Sequence, residues 1–304
     1  MKTLFFRLSV FCAIFLSTSA FSEQFSFEAF WETKKGKSQE VVALGVPSSE
    51  FQTTFNILTK EGLELFLIDG YDLNGEVYMN CVFRTATGKK WAAKHGMTAK
   101  QYQNEFNKYV RDGNFTLRWV DSYRQGTSVR YAAIFSKHMP RKQTAYHGYT
   151  AKQHQERFTT LNAAGWCPIN VSVVSINEQL FYTAFYEKKD GSYYLKSFLT
   201  RDQFEEIDYE QKKEKRHLAY MNAYTHDKNM LPRFVAIWHS NMTAGEYLPN
   251  VYGPTAMKGG DSLGGNGYFT RFVTGYGVGT GHRFDVFWYK PKLALRVPGK
   301  MLSE

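Results

Sequence analysis

The dodecapeptide HGMTAKQYQNEF, His95 to Phe106, comes back as HGYTAKQHQERF, His147 to Phe158. A near-copy 52 residues further on has the spacing of stacked supersecondary units. That period constrains the fold more tightly than any other feature of the chain. A unit of about fifty residues rarely buries enough surface to be stable alone, so neighbours must share an interior.

The echo extends well beyond the dodecapeptide. The strand-like block YAAIF (Tyr131–Phe135) recurs as YTAFY (Tyr182–Tyr186), FVAIW (Phe234–Trp238) and FDVFW (Phe284–Trp288). Towards the N-terminus, MNCVF (Met79–Phe83) and FEAFW (Phe27–Trp31) fit the same frame, and the six blocks step by 52, 52, 51, 52 and 50 residues. Each block reads large, small, aromatic at alternate positions, as in Tyr131, Ala133 and Phe135. Period two places those three on one face of a strand. The small middle residue lets a helix lie close against that face. The position before the last aromatic (Val82, Ile134, Phe185, Ile237, Phe287) is apolar too and faces the other way, as in a strand covered on both sides.

The dodecapeptide supplies the helix. Thr98 with Gln101, Thr150 with Gln153 and Thr200 with Gln203 form capping boxes, in which side chains satisfy orphan helix donors. Tyr102, Phe106 and Tyr109 then share one stripe, matched by Phe51, Phe55 and Leu58, and by His154, Phe158 and Leu161. A strand ending in tyrosine follows: Tyr71, Tyr123, Tyr224 and Tyr276, with Ser175 in the third unit.

These signals predict an α+β fold, a tandem array of about five helix–strand–strand units around one continuous core. The units fall near 45–91, 92–143, 144–194, 195–242 and 243–290. An extra strand at 26–32 has no helix before it and offers a means of closing or capping the array. The fourth unit becomes more charged after Phe204, and no fifth helix is recognisable. In its place Gly245–Gly267, rich in glycine and proline, reads as a long loop.

Residues 1–22 carry Lys2 and Arg7, a short apolar core and small residues near a cut, the pattern of a secretory signal peptide. The repeat region is then 23–290 and the tail 291–304. No later segment approaches the length of a membrane-spanning helix. The formal net charge of +10 falls to +8 without Lys2 and Arg7. Outside a cell that charge favours acidic glycans or anionic surfaces over nucleic acid. Acceptor sequons at Asn114, Asn170 and Asn241 suit a glycosylated, exported chain.

The pattern HG-x-T-x-x-Q, followed by a glycine, a tyrosine and a YAAIW-like block, resembles the bacterial tandem repeat domain. A similar repeat forms the amino-terminal part of fungal polyglycine hydrolases. The resemblance covers roughly residues 26–290 and is strongest in the second and third units. It implies the repeat part of such proteins without their serine-β-lactamase-like catalytic domain. This sequence contains no Ser-x-x-Lys, the arrangement in which lysine activates that serine.

Several stretches carry candidate chemistry. Gly260-Asp261-Ser262-Leu263-Gly264 satisfies Gly-x-Ser-x-Gly, and GDSL resembles the serine block of an esterase family. A nucleophile elbow needs a strand before its serine and a helix after it, whereas Ser262 follows a Pro- and Gly-rich stretch and only His282 lies downstream as a base. His95 and His147 occupy equivalent places, which predicts a shared packing task over metal ligation. Export would permit a Cys81–Cys167 bridge, yet Cys81 fills the small-residue column as a buried thiol would.

Residues common to every unit hold an array together, and function gathers where a unit departs from the pattern. The 245–267 stretch is the largest departure, so Tyr247, Tyr252, Asp261, Ser262 and Asn266 are the candidate binding residues. The expected function is non-catalytic binding of an extracellular protein or acidic glycan, with no cofactor and no metal. The alternative is a secreted serine hydrolase or peptidase, related in activity to the polyglycine hydrolases or using Ser262.

Overall fold

A computed structural model describes residues 27–36, 38–137, 142–226 and 231–291. The leader predicted at 1–22 and all but the first residue of the tail at 291–304 lie outside the described residues. In the first unit, β2 (Ser38–Pro47) leads into α1 (Ser48–Lys60), β3 (Leu63–Leu73) and β4 (Glu76–Thr85). The second has β5 (Trp91–Met97), α2 (Ala99–Phe106, continued by a π-turn at Asn107–Arg111), β6 (Thr116–Gln125) and β7 (Ser128–Ser136). The third has β8 (Gln143–Thr150), α3 (Ala151–Ala163), β9 (Cys167–Ile176) and β10 (Gln179–Glu187). The fourth has β11 (Tyr193–Leu199), α4 (Arg201–Lys213), β12 (His217–Thr225) and β13 (Pro232–His239). The fifth has β14 (Gly245–Val251), α5 (Gly253–Gly265), β15 (Phe269–Val278) and β16 (Gly281–Tyr289).

Each unit therefore carries one more strand than its helix–strand–strand signature, placed before the helix. In every unit this first strand and the strand after the helix flank the YAAIF strand, in antiparallel sheets such as β5-β7-β6. The YAAIF strand is central, which is why both of its faces are apolar. All three capping boxes form as the sequence predicts.

The strands after the helices line one axis. β3 lies beside β6, β6 beside β9, β9 beside β12, β12 beside β15, and β15 beside β3. Five sheets thus stand around a closed, propeller-like ring. Between neighbours the helix-bearing face of one sheet packs on the bare face of the next. Phe51, Cys81 and Phe83 of the first unit share a core with Ala132 and Ile134 of the second. Tyr102, Ala133 and Phe135 of the second meet Phe185 of the third.

The extra strand is β1 (Ala29–Lys35), a little later than its predicted span. It pairs with the outer edge of β2 and lies against α5, so the first and last units are joined by both chain ends. The stretch predicted as a loop is β14 and α5. Its glycines are what the close packing requires: a Cβ on Gly260 would lie 2.2 Å from the Trp31 indole, and one on Gly264 would lie 2.4 Å from Thr33 Oγ1. Helix propensity gave way here to a contact with a distant strand. Cys81 and Cys167 are free, buried thiols.

Candidate functional site

An innermost strand leaves one edge of N–H and C=O groups without a partner strand. Here a single side-chain column solves that problem five times. Gly70 N–H donates to Asp121 Oδ2 (2.7 Å), Ser122 N–H to Ser172 Oγ (3.0 Å), and Val173 N–H to Asn222 Oδ1 (3.0 Å). Ala223 N–H donates to Thr274 Oγ1 (2.9 Å), and Gly275 N–H returns to Asp69 Oδ2 (2.9 Å). Each unit thus caps the exposed edge of its predecessor, and the fifth bond closes the circle.

Two of these five acceptors are carboxyls, both buried. Burial pushes the Asp121 carboxyl well up, and the nearby Asp69 charge adds to the shift. Burial likewise raises Asp69, opposed by donors that include Asn80 and Gly275. Asp121 Oδ1 has no hydrogen-bond partner among the described residues, and the neighbouring Ser172 hydroxyl donates to the Ser122 carbonyl.

Deeper along the axis, Trp119 and Tyr220 meet edge to face with centroids 5.5 Å apart, and Trp119 Nε1 donates to the Ile68 carbonyl. On the other side of the polar ring the axis opens as a funnel, with a cavity of about 30 Å³ lined from all five inner strands. The recurrent tyrosines, Tyr71, Tyr123, Tyr224 and Tyr276, surround it, and Ser175 takes the fifth place. Tyr123 Oη accepts the Gly96 N–H at 2.9 Å, and Tyr276 Oη donates to Asn250 Oδ1 at 3.2 Å. Ser175 Oγ instead meets His226 Nδ1 at 3.1 Å. The tyrosine column was visible in the sequence. That it encircles an axis was not, since only ring closure brings the five positions together.

The funnel end also receives the hairpins from inner to central strands and the starts of all five helices. Four of those hairpins are two-residue turns, but the β12–β13 connection spans residues 226–231. Arg124 lies at the funnel, and Arg283 stands at the start of β16, with its guanidinium 3.4 Å over the Tyr252 ring. A second concavity of about 340 Å³ lies between α1 and β5, lined by Phe51, Phe55, Ala93 and His95. His95 Nε2 pairs with Gln52 Oε1 at its edge.

The predicted site residues do not form one cluster. Tyr247 is tied into an interior network: Arg201 donates to its hydroxyl, which donates to Asp285, while Arg201 also pairs with Asp285 at 2.7 Å. Tyr252 is exposed at the N-terminus of α5. Asp261 and Ser262 lie on the exposed side of that helix, and Asn266 caps its end, donating to the Ser262 carbonyl. Ser262 is thus in the last turn of α5, away from any strand-to-helix elbow. His282 Nδ1 meets Tyr71 Oη at 2.6 Å and its Nε2 lies 3.4 Å from Glu28, so both ring nitrogens are engaged elsewhere. Burial lowers its pKa, with Glu28 opposing.

His95 and His147 do share a packing task. Each stands edge-on to the helix aromatic of the preceding unit, Phe51 at 4.8 Å and Tyr102 at 4.9 Å. Among the sequons, Asn114 and Asn241 are exposed. Asn170 is fully buried, and its Nδ2 donates to the Val120 carbonyl inside the ring, so it has no room for a glycan.

The model of the polyglycine hydrolase-like structural repeat matches residues 39–86, 88–138, 141–189, 198–241 and 261–291, one span in each unit. The chain belongs to this family. The fifth match begins inside α5 and omits β14, the part of the repeat where the sequence departs furthest from its siblings. No curated protein matches the chain significantly.

Proposed function

We propose that this repeat protein is a non-catalytic binding module that acts outside the cell, holding an extracellular protein or acidic glycan against the funnel face of its ring. The observation that carries this reading is where the five units stop being alike. Ser175 breaks the tyrosine circle, and at the same end β12 and β13 are separated by six residues where the other units have two. The funnel cavity of about 30 Å³ is far below the roughly 300–1,000 Å³ of small-molecule sites. A macromolecule spanning the face fits better than a metabolite inside it. Arg124 and Arg283, with five helix N-termini, favour anionic groups there. The leader-like first 22 residues and the two exposed sequons support an extracellular setting.

The test is binding of recombinant protein to immobilised sulfated polysaccharide and to extracellular proteins. Arg124→Glu and Arg283→Glu alter the funnel face, and Lys60→Glu alters the opposite end, at the last turn of α1. Selective binding that weakens with salt, fails in the first two variants and survives in the third is expected. Equal loss in Lys60→Glu, or no ligand for the wild type, sinks the reading.

A further inference from the structure

Five large apolar side chains stand exposed among the described residues: Phe198, Tyr209, Leu231, Tyr252 and Val278. All but Tyr209 sit at the funnel end of the fourth and fifth units: two just before the helices, two beside the hairpins. Phe198 is 42% and Tyr252 56% exposed. Each ring carries an arginine: Arg233 lies 5.4 Å from the Phe198 centroid, and Arg283 lies 3.4 Å from that of Tyr252.

Phe198 adds an independent observation. Its backbone is left-handed, φ 61°, at a place where every unit needs that conformation. The equivalent residues are Gly45, Gly96, Gly148 and Asn250, the types that tolerate it. A phenylalanine there is strained. The ring stands edge-on to His226 with centroids 4.8 Å apart, yet 42% of the residue stays exposed. Strain held against an easy glycine alternative thus marks a side chain retained for more than this one contact.

Resting on the funnel-face reading, we infer that Phe198, Leu231, Tyr252 and Val278, with Arg233 and Arg283, form a docking patch for a polypeptide segment of another protein that carries apolar side chains flanked by carboxylates. Aromatic rings beside arginines are the composition of protein-interface anchors. Leu231 and Val278 add aliphatic surface, which sugar stacking does not use. The acidic preference follows from charge. Both arginines lie beside the rings, and α4 and α5 present their positive N-terminal ends here. Among the described carboxylates of these two units near this end, Asp285 pairs with Arg201 and Asp202 stands in the first turn of α4.

The experiment measures fluorescence anisotropy of labelled peptides that alternate Leu or Phe with Asp or Glu, beside the same peptides with Lys in place of the acids. Wild type, Phe198→Gly and Tyr252→Ala are compared, with a heparin oligosaccharide as a second probe and sedimentation as a third. Acidic peptides should bind the wild type and the lysine versions should not. Phe198→Gly should weaken binding about tenfold or more while melting at the same or a higher temperature, since glycine relieves the backbone. Unchanged peptide affinity in Phe198→Gly overturns the inference. Heparin binding without peptide binding overturns it too, but leaves the funnel-face reading standing. Self-association abolished by Phe198→Gly overturns it in favour of a second copy of this chain. No binding of any probe or partner at this face removes both.

Discussion

Gly275 donates its backbone N–H to Asp69 Oδ2 at 2.9 Å, joining the last inner strand to the first across 206 positions of the chain. A second link runs beside it, from Thr270 N–H to Glu40 Oε1 at 2.7 Å. With β1 lying on α5, these contacts turn a row of repeats into a ring without free ends.

The buried carboxyls give the ring a pH signature. Burial raises Asp69 and Asp121 above the value of about 4 that an unfolded aspartate has. The folded protein therefore holds protons that the unfolded chain has released. The stability of the neutral pair is full below about pH 4 and declines as pH rises through the folded values. His154 and His239, lowered to about 4 by burial, act in the opposite sense between about pH 4 and 6.5. The comparison with Asp121→Asn isolates the carboxyl. This variant should gain stability relative to wild type as pH rises from about 4 to 8. A pH-independent difference in denaturant midpoint would contradict the assignment.

Gly260→Ala should destabilise the protein by about 1–3 kcal/mol, since its Cβ would press on the Trp31 indole. Gly265→Ala, in the same helix with nothing within 4 Å, should instead stabilise by about 0.5–1 kcal/mol. Urea unfolding of both variants decides the matter. Similar effects of like sign would mean that α5 does not lie on β1 as described.

A fluorophosphonate probe should leave Ser262 unlabelled. The residue stands in the last turn of α5 with no elbow to present its hydroxyl. Covalent labelling that disappears in Ser262→Ala would overturn the non-catalytic reading.

Secreted from a glycosylating host, the folded protein should carry glycans at Asn114 and Asn241 only. Mass spectrometry of tryptic peptides reads this directly. Occupancy of Asn170 in folded material would contradict its burial at the axis.

The candidate face was only partly legible beforehand. The departure of the fifth unit was plain in the sequence, and Tyr252 does stand on the funnel end. Tyr247 was drawn inside by Arg201 and Asp285, partners that no local pattern announces. Phe198 was missed, although its signal was present: it occupies the column held by Gly96 and Gly148 in the HG motif.

By itself the sequence determined the unit. The period, the large–small–aromatic triplets and the capping boxes are written within a few turns or strand residues of each other, where side-chain spacing fixes which face is apolar. Tertiary structure alone decided what the units become together. Ring closure and the helical fate of the glycine-rich stretch depend on Asp69 meeting Gly275 and on Trp31 meeting Gly260. The Trp31–Gly260 contact is made once and leaves no periodic trace. The column of Asp69, Asp121, Ser172, Asn222 and Thr274 repeats its position but not its residue type, so nothing local in the chain announces that its two ends meet.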